Sequence, residues 1–180
     1  LNRQSGGNGG IYRSLCLYNF VDNHDVNRLA STLSNHSHLC NVYTLLYTMP
    51  GVPSLYYGSE WGAEGDKKNG DPSLRPSFAA PEWNELTDWI SKLAEAKKGS
   101  DALNYGEFRS VVLTNKQCIF ERKTNQERVL VAINADSEAY TAHFDAGCGM
   151  AEDLITGKPH DFGGGSELPP YSAYFWKCEK

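Results

Sequence analysis

The chain has 180 residues, enough for one domain or two small ones, and its 40% apolar and 12% aromatic side chains suffice for a core. Its formal net charge of −5, with no Lys/Arg cluster, argues against nucleic acid or a membrane surface as partner, since both need a basic face. Five cysteines at wide spacings, without a C-x-x-C pair, favour reduced thiols over a disulfide framework or a zinc site, and with them the cytoplasm.

The first ten residues, LNRQSGGNGG, are rich in Gly and Asn and read as a loop. They show neither an initiator Met nor a signal-peptide pattern, so the chain reads as a piece of something longer; no apolar run is long enough for a transmembrane helix. Residues 14–21, SLCLYNFV, are a short apolar run rich in strand-compatible side chains, too short for a helix and consistent with a strand buried on both faces. At its end stand Asp22, Asn23, His24 and Asp25. Such residues can end a strand and cap the next helix, or they can form an active site at a strand end.

HSHLCNVYTLLYTM then puts Leu39, Val42, Tyr43, Leu46 and Met49 on one helical stripe, which Pro50-Gly51 stops. His36, His38 and Cys40 could be drawn together as a metal site, but no second ligand pair follows, and surface histidines near a helix start are the favoured reading. VPSLYYG reads as a second short buried strand, followed by the polar loop SEWGAEGDKKNGDPSLRPSF. A second helix carries Leu86, Trp89, Ile90, Leu93 and Ala94 on one face and closes at Lys97-Lys98-Gly99. Two strands joined by a helix want parallel pairing with a right-handed crossover, yet two alone do not make a stable sheet.

From about residue 102 the period changes from helical to alternating. FRSVVLTNKQCIFERKTNQERVLVAIN predicts a three-stranded meander with turns at 114–116 and 124–126, and AYTAHF, AEDLIT and SAYFWKC add strands separated by turns at 147–149 and 163–170. The second half is therefore expected to be an antiparallel sandwich of six or more strands. The two halves, 1–101 and 102–180, show no flexible linker between them.

FVDNHD, then MPGVPSLYYGSEWG, then GDPSLRP, in that order, closely resemble the end of the catalytic barrel of the α-amylase family, glycoside hydrolase family 13. FRSVVLTNKQCIFERK, RVLVAINAD and LPPYSAYFWK are similar to the β-sandwich that follows that barrel. The resemblance implies the last two strands and helices of a (β/α)8 barrel over 1–101 and an antiparallel Greek-key β-sandwich over 102–180. It also implies a retaining enzyme acting on α-glucosidic bonds of starch, maltodextrin or cyclodextrin, with an α-glucan or maltooligosaccharide as partner. In the family the last Asp of the first motif stabilises the transition state and its His binds the sugar at the cleaved bond, which here are Asp25 and His24. DPSLRP offers Asp71 and Arg75 to a more distant sugar. Asp22 is the runner-up acid and reads as structural.

The nucleophile and the acid/base lie on earlier barrel strands in the family, so these 180 residues carry one carboxylate of three and are expected to be inactive alone. No cofactor or metal is assigned to them; the calcium-binding insert of the family also falls outside them. The open barrel edges are expected to promote self-association. Two alternatives come from other classes. One is a carbohydrate-binding or structural module, for which Tyr174 and Trp176 are the candidate aromatic pair, although core packing explains them more simply. The other is a metal-dependent hydrolase with Asp22, His24 and Asp25 as ligands, for which no further His or carboxylate motif completes a shell.

Overall fold

The computed structural model describes residues 10–12 and 15–179; apart from Gly10, the opening segment expected as a loop lies outside them. Two short strands, β1 (Tyr18–Asn19) and β2 (Val52–Pro53), pair in parallel with Tyr18 opposite Val52. Both are shorter than the apolar runs that predict them, and neither is buried on both faces: Tyr18 is 69% and Val52 50% exposed. Among the described residues each strand has one neighbour, so nothing covers the outer edge or the face that these side chains occupy.

The connection between them holds a helical turn, α1 (Leu29–Thr32), and a helix, α2 (Leu39–Thr48). Ahead of α2, Asn35 caps a turn at His36–His38 by accepting from the Ser37 N–H. Tyr43 and Leu46 of the expected stripe are buried, and so are Thr44 and Thr48 on the flank. Those hydroxyls donate to the carbonyls of Cys40 and Thr44 one turn back, so they enter the interior satisfied. Gly51 then turns the chain at φ +114°, where a Cβ would run into the Leu17 carbonyl oxygen. The lack of that Cβ lets the Val52 N–H donate to Leu17 at 2.7 Å and start β2.

After a short helix, α3 (Asp71–Leu74), the long helix α4 (Glu85–Lys98) begins at a capping box. The Asn84 side chain accepts from the N–H groups of Leu86 and Thr87, and the Thr87 hydroxyl faces the Asn84 N–H in return. Leu86, Ile90 and Leu93 face the core as their spacing predicts, with Trp89 and Ala94 partly buried beside them. A further short helix, α5 (Asp101–Tyr105), was not legible from periodicity. Its N-cap is Ser100, and the Glu127 carboxylate accepts from both the Ser100 hydroxyl and the Ala102 N–H.

The expected meander is present as β3 (Glu107–Leu113), β4 (Gln117–Lys123) and β5 (Arg128–Asn134). Beyond it come β6 (Tyr140–Ala142), β7 (Met150–Asp153), β8 (Pro159–Asp161), β9 (Ser166–Leu168) and β10 (Ala173–Cys178). Strand β9 lies inside the stretch read as a turn at 163–170, and β8 was likewise not foreseen; at three residues each, they are too short for alternation to show. The six-stranded sheet runs β3-β4-β5-β10-β7-β8, so the last strand of the chain enters between β5 and β7. Strands β6 and β9 form a separate two-stranded ribbon.

Alternation along β5 explains the layering. Val129, Val131 and Ile133 join α2, α4 and α5 in one apolar cluster, while Leu130 and Ala132 join Ala142 and Leu168 of the ribbon in another. The all-β half is thus a broad sheet with helices on one face and a ribbon on the other. A buried guanidinium ties the helical layer to the sheet: Arg122 of β4 donates to the carbonyls of Gly106 and Thr48.

Candidate functional site

The polar residues after β1 divide into a buried layer and an exposed one. Asp22 is 2% exposed. Its carboxylate accepts from the Leu29 N–H at 2.8 Å, at the start of α1, and from the Ser59 hydroxyl at 2.8 and 3.0 Å. Ser59 in turn accepts from Arg28 Nη1 at 3.0 Å. Arg28 is fully buried, donates to the carbonyls of Tyr57 and Leu74, and lies 4.2 Å from the centre of the Tyr56 ring. This Asp22–Ser59–Arg28 chain fastens the loop after β1 to the loop after β2. Sequence reasoning missed Arg28 and Ser59; the one local signal was the Tyr56-Tyr57 pair, whose faces suit a guanidinium.

Above this layer the four residues singled out from the sequence come together. Asp25 and His24 are exposed, with 3.2 Å between His24 Nε2 and Asp25 Oδ2. Arg75, from the far end of α3, puts Nη2 3.4 Å from Asp25 Oδ1 and 3.7 Å from Asp71 Oδ2, and points Nε at the His24 carbonyl at 3.4 Å. The Asn23 side chain accepts from the Asp25 N–H at 2.8 Å and Lys67 Nζ donates to the Asp25 carbonyl at 2.9 Å, so the backbone carrying the carboxylate is held from both sides. The Tyr56 ring lies 6.4 Å from the imidazole.

The result is an open face presenting carboxylate acceptors beside imidazole and guanidinium donors, with an aromatic ring next to them. Such a set suits a neutral ligand rich in hydroxyl groups, each of which donates and accepts. Among the described residues no three His, Cys, Asp or Glu side chains are disposed to hold a metal ion. His36 and His38 direct Nε2 to the carbonyls of Ala30 and Ala135, and they form no metal-holding group with Cys40 among the described residues. Trp176 does not serve a binding platform either: it is 1% exposed and stacks on His160 with ring centres 4.2 Å apart.

Comparison with known proteins places this geometry in context. Residues 11–138 match the family model described as the α-amylase catalytic domain. A cyclomaltodextrin glucanotransferase of Niallia circulans is 32% identical over 149 residues, covering 81% of this chain and 20% of that enzyme. The enzyme of the same name from Bacillus licheniformis is 36% identical over 118 residues, covering 64% of this chain and 16% of its own length. The crystal structure of an Anoxybacillus α-amylase superposes with a TM-score of 0.81 at 25% identity, covering 92% of this chain and 38% of that one. The chain therefore spans 20% or less of the length of these two curated relatives. With the family model spanning most of its length and the motif residues gathered at one end of a parallel strand pair, the chain belongs to the α-amylase family of glycoside hydrolases.

Proposed function

We propose that these residues are the C-terminal portion of a retaining glycoside hydrolase or transglycosylase acting on α-glucosidic bonds of starch, maltodextrin or cyclodextrin. On this reading 1–101 supplies the last two βα units of a (β/α)8 barrel and 102–180 a Greek-key β-sandwich. The observation that carries the proposal is the meeting of His24 and Asp25, which follow β1, with Asp71 and Arg75, which follow β2, on one exposed face. Barrel enzymes gather their reacting groups in this way at the C-terminal ends of parallel strands.

Retention of configuration needs a nucleophilic carboxylate and an acid/base carboxyl about 5 Å apart on either side of the scissile bond. Asp25 is assigned neither role. As the third carboxylate it accepts from sugar hydroxyls and offsets the positive charge that develops on the ring in the transition state. His24, within hydrogen-bond reach of it, donates to the same sugar, while Asp71 and Arg75 bind a sugar further along the chain. Arg75 also fixes the Asp25 side chain before substrate arrives, so less order is lost on binding. The bond-making pair comes from outside these residues, and the exposed strand edges favour self-association of the isolated chain.

The test is turnover of a chromogenic maltooligosaccharide. The 180-residue chain is expected to give none above buffer. In the full-length enzyme Asp25→Asn should lower kcat by roughly 100-fold or more with little change in KM, because the interaction is made in the transition state. Turnover by the isolated chain, or an Asp25→Asn enzyme with normal kcat, would overturn the assignment.

A further inference from the structure

Five free thiols take no part in the site described above, and two of them stand where β10 meets the loop that enters β7. Cys178 ends β10 opposite Ala151 of β7, and the next N–H, of Glu179, donates to the Met150 carbonyl at 3.3 Å. The end of the strand therefore runs along the loop that enters β7, and Cys148 stands in that loop. Arg128 marks the junction: its Nη1 lies 3.6 Å from Cys178 Sγ, and a Cβ on Gly147 would sit 3.3 Å from the same nitrogen. Cys148 and Cys178 pack against the same apolar cluster, beside the same guanidinium. No third metal-binding group joins them among the described residues, which favours covalent chemistry between the sulfurs over a metal thiolate.

We propose that Cys148 and Cys178 are an oxidisable pair that closes to an intrachain disulfide, with a small disulfide such as oxidised glutathione as oxidant. Cys148 is the entry point, because it is partly exposed and flanked by exposed Gly147 and Gly149. Burial, and then the neighbouring Cys148 side chain, push the Cys178 thiol up to about 12, so Cys178 does not begin the exchange. The Cys148 thiolate attacks one glutathione sulfur, forming a mixed disulfide and releasing the other glutathione as thiolate. That thiolate takes the Cys178 proton, and Arg128 offsets the charge on the sulfur as it forms. The Cys178 sulfur then attacks Cys148 and the second glutathione leaves, to be protonated by solvent. Two protein thiols are oxidised and one oxidised glutathione is reduced to two thiols. The bond would fasten β10 to the entry of β7 and close a loop containing β7, β8 and β9.

The experiment treats the 180-residue chain with excess oxidised glutathione, alkylates the remaining thiols and maps the peptides. The expected result is a fall from five alkylated cysteines to three, a linked Cys148–Cys178 peptide with no glutathione retained, and a melting midpoint raised by roughly 5 to 10 °C that dithiothreitol reverses. Cys148→Ser should abolish the shift and Cys16→Ser should keep it. Five alkylated cysteines, separate glutathione adducts on Cys148 and Cys178, or a linkage through Cys16, Cys40 or Cys118 would overturn the proposal. The mapping needs no variant, so a misfolded mutant leaves it decisive.

Discussion

Asp22 and Asp25 stand three residues apart in one loop, yet one is sealed inside and the other faces solvent. Removing Asp22 leaves the Leu29 N–H and the Ser59 hydroxyl without their acceptor and takes the only carboxylate from the chain that reaches Arg28. Asp22→Ala should therefore lose about 2 to 4 kcal/mol in urea unfolding, while Asp25→Asn should stay within about 0.5 kcal/mol because its partners are exposed. Equal losses for the two variants would show that burial does not separate their roles. Composition alone could not divide this pair. What buries Asp22 arrives with Ser59, 37 residues later, whereas the likeness of the whole motif to a family pattern was legible at once. Lys97 adds a pH dependence at the same scale. Burial, and secondarily the Arg122 charge, lower its pKa from 10.5 to about 8. Between those values the unfolded chain keeps a proton that the folded chain has released, so this group's contribution to stability rises with pH. Buried thiols such as Cys118, raised to about 11, act in the opposite sense but are shared with a Lys97→Met variant. The stability of the wild type minus that of Lys97→Met should thus increase from below about pH 8 to about pH 10. A flat difference would mean that Lys97 titrates normally.

The elements that could be read from the sequence are those whose signal is local and long enough to repeat. The meander β3 to β5 has seven-residue strands and polar turns, and α4 has a capping residue, an apolar stripe and terminal lysines. Elements of two or three residues, such as β1, β2, β8 and β9, depend on their partners instead, and their bounds or existence escaped the pattern. Helix α5 escaped for a related reason. It is held by the Glu127 carboxylate from beyond β4, and Ser100 was its one local mark. The junction of β1 and β2 rests on Gly51, whose positive φ and contact with the Leu17 carbonyl exclude a side chain. Gly51→Ala should cost about 2 to 4 kcal/mol, combining backbone strain with displacement of β2. Amide exchange would locate the damage: loss of protection at Val52 and Ser54, whose N–H groups donate to Leu17 and Asn19, with the β3–β5 amides unchanged. A loss spread evenly over the sheet would refute that placement.

Among the described residues, a sheet with apolar clusters on both faces is joined to a pair of strands with open flanks. Tyr18, Phe20, Leu15 and Val52 are large, apolar and exposed on or beside β1 and β2. Light scattering of the isolated chain should show association that grows with concentration, and Tyr18→Lys with Val52→Lys should reduce it without loss of helix or sheet signal by circular dichroism. A monomer at all concentrations would mean that two strands with open flanks can stand unpartnered. The insertion of β10 between β5 and β7 has a consequence for synthesis. The chain emerges from the ribosome amino end first, so the β3–β5 meander and the β7–β8 hairpin leave the tunnel while the strand that joins them is still inside. Until β10 follows them out, the edges of β5 and β7 that it will occupy stay open, and the last contacts to form span the greatest distance along the sheet's own chain. A premature stop ahead of residue 173 would leave two leaves of sheet with no common strand, each exposing an edge to neighbouring nascent chains.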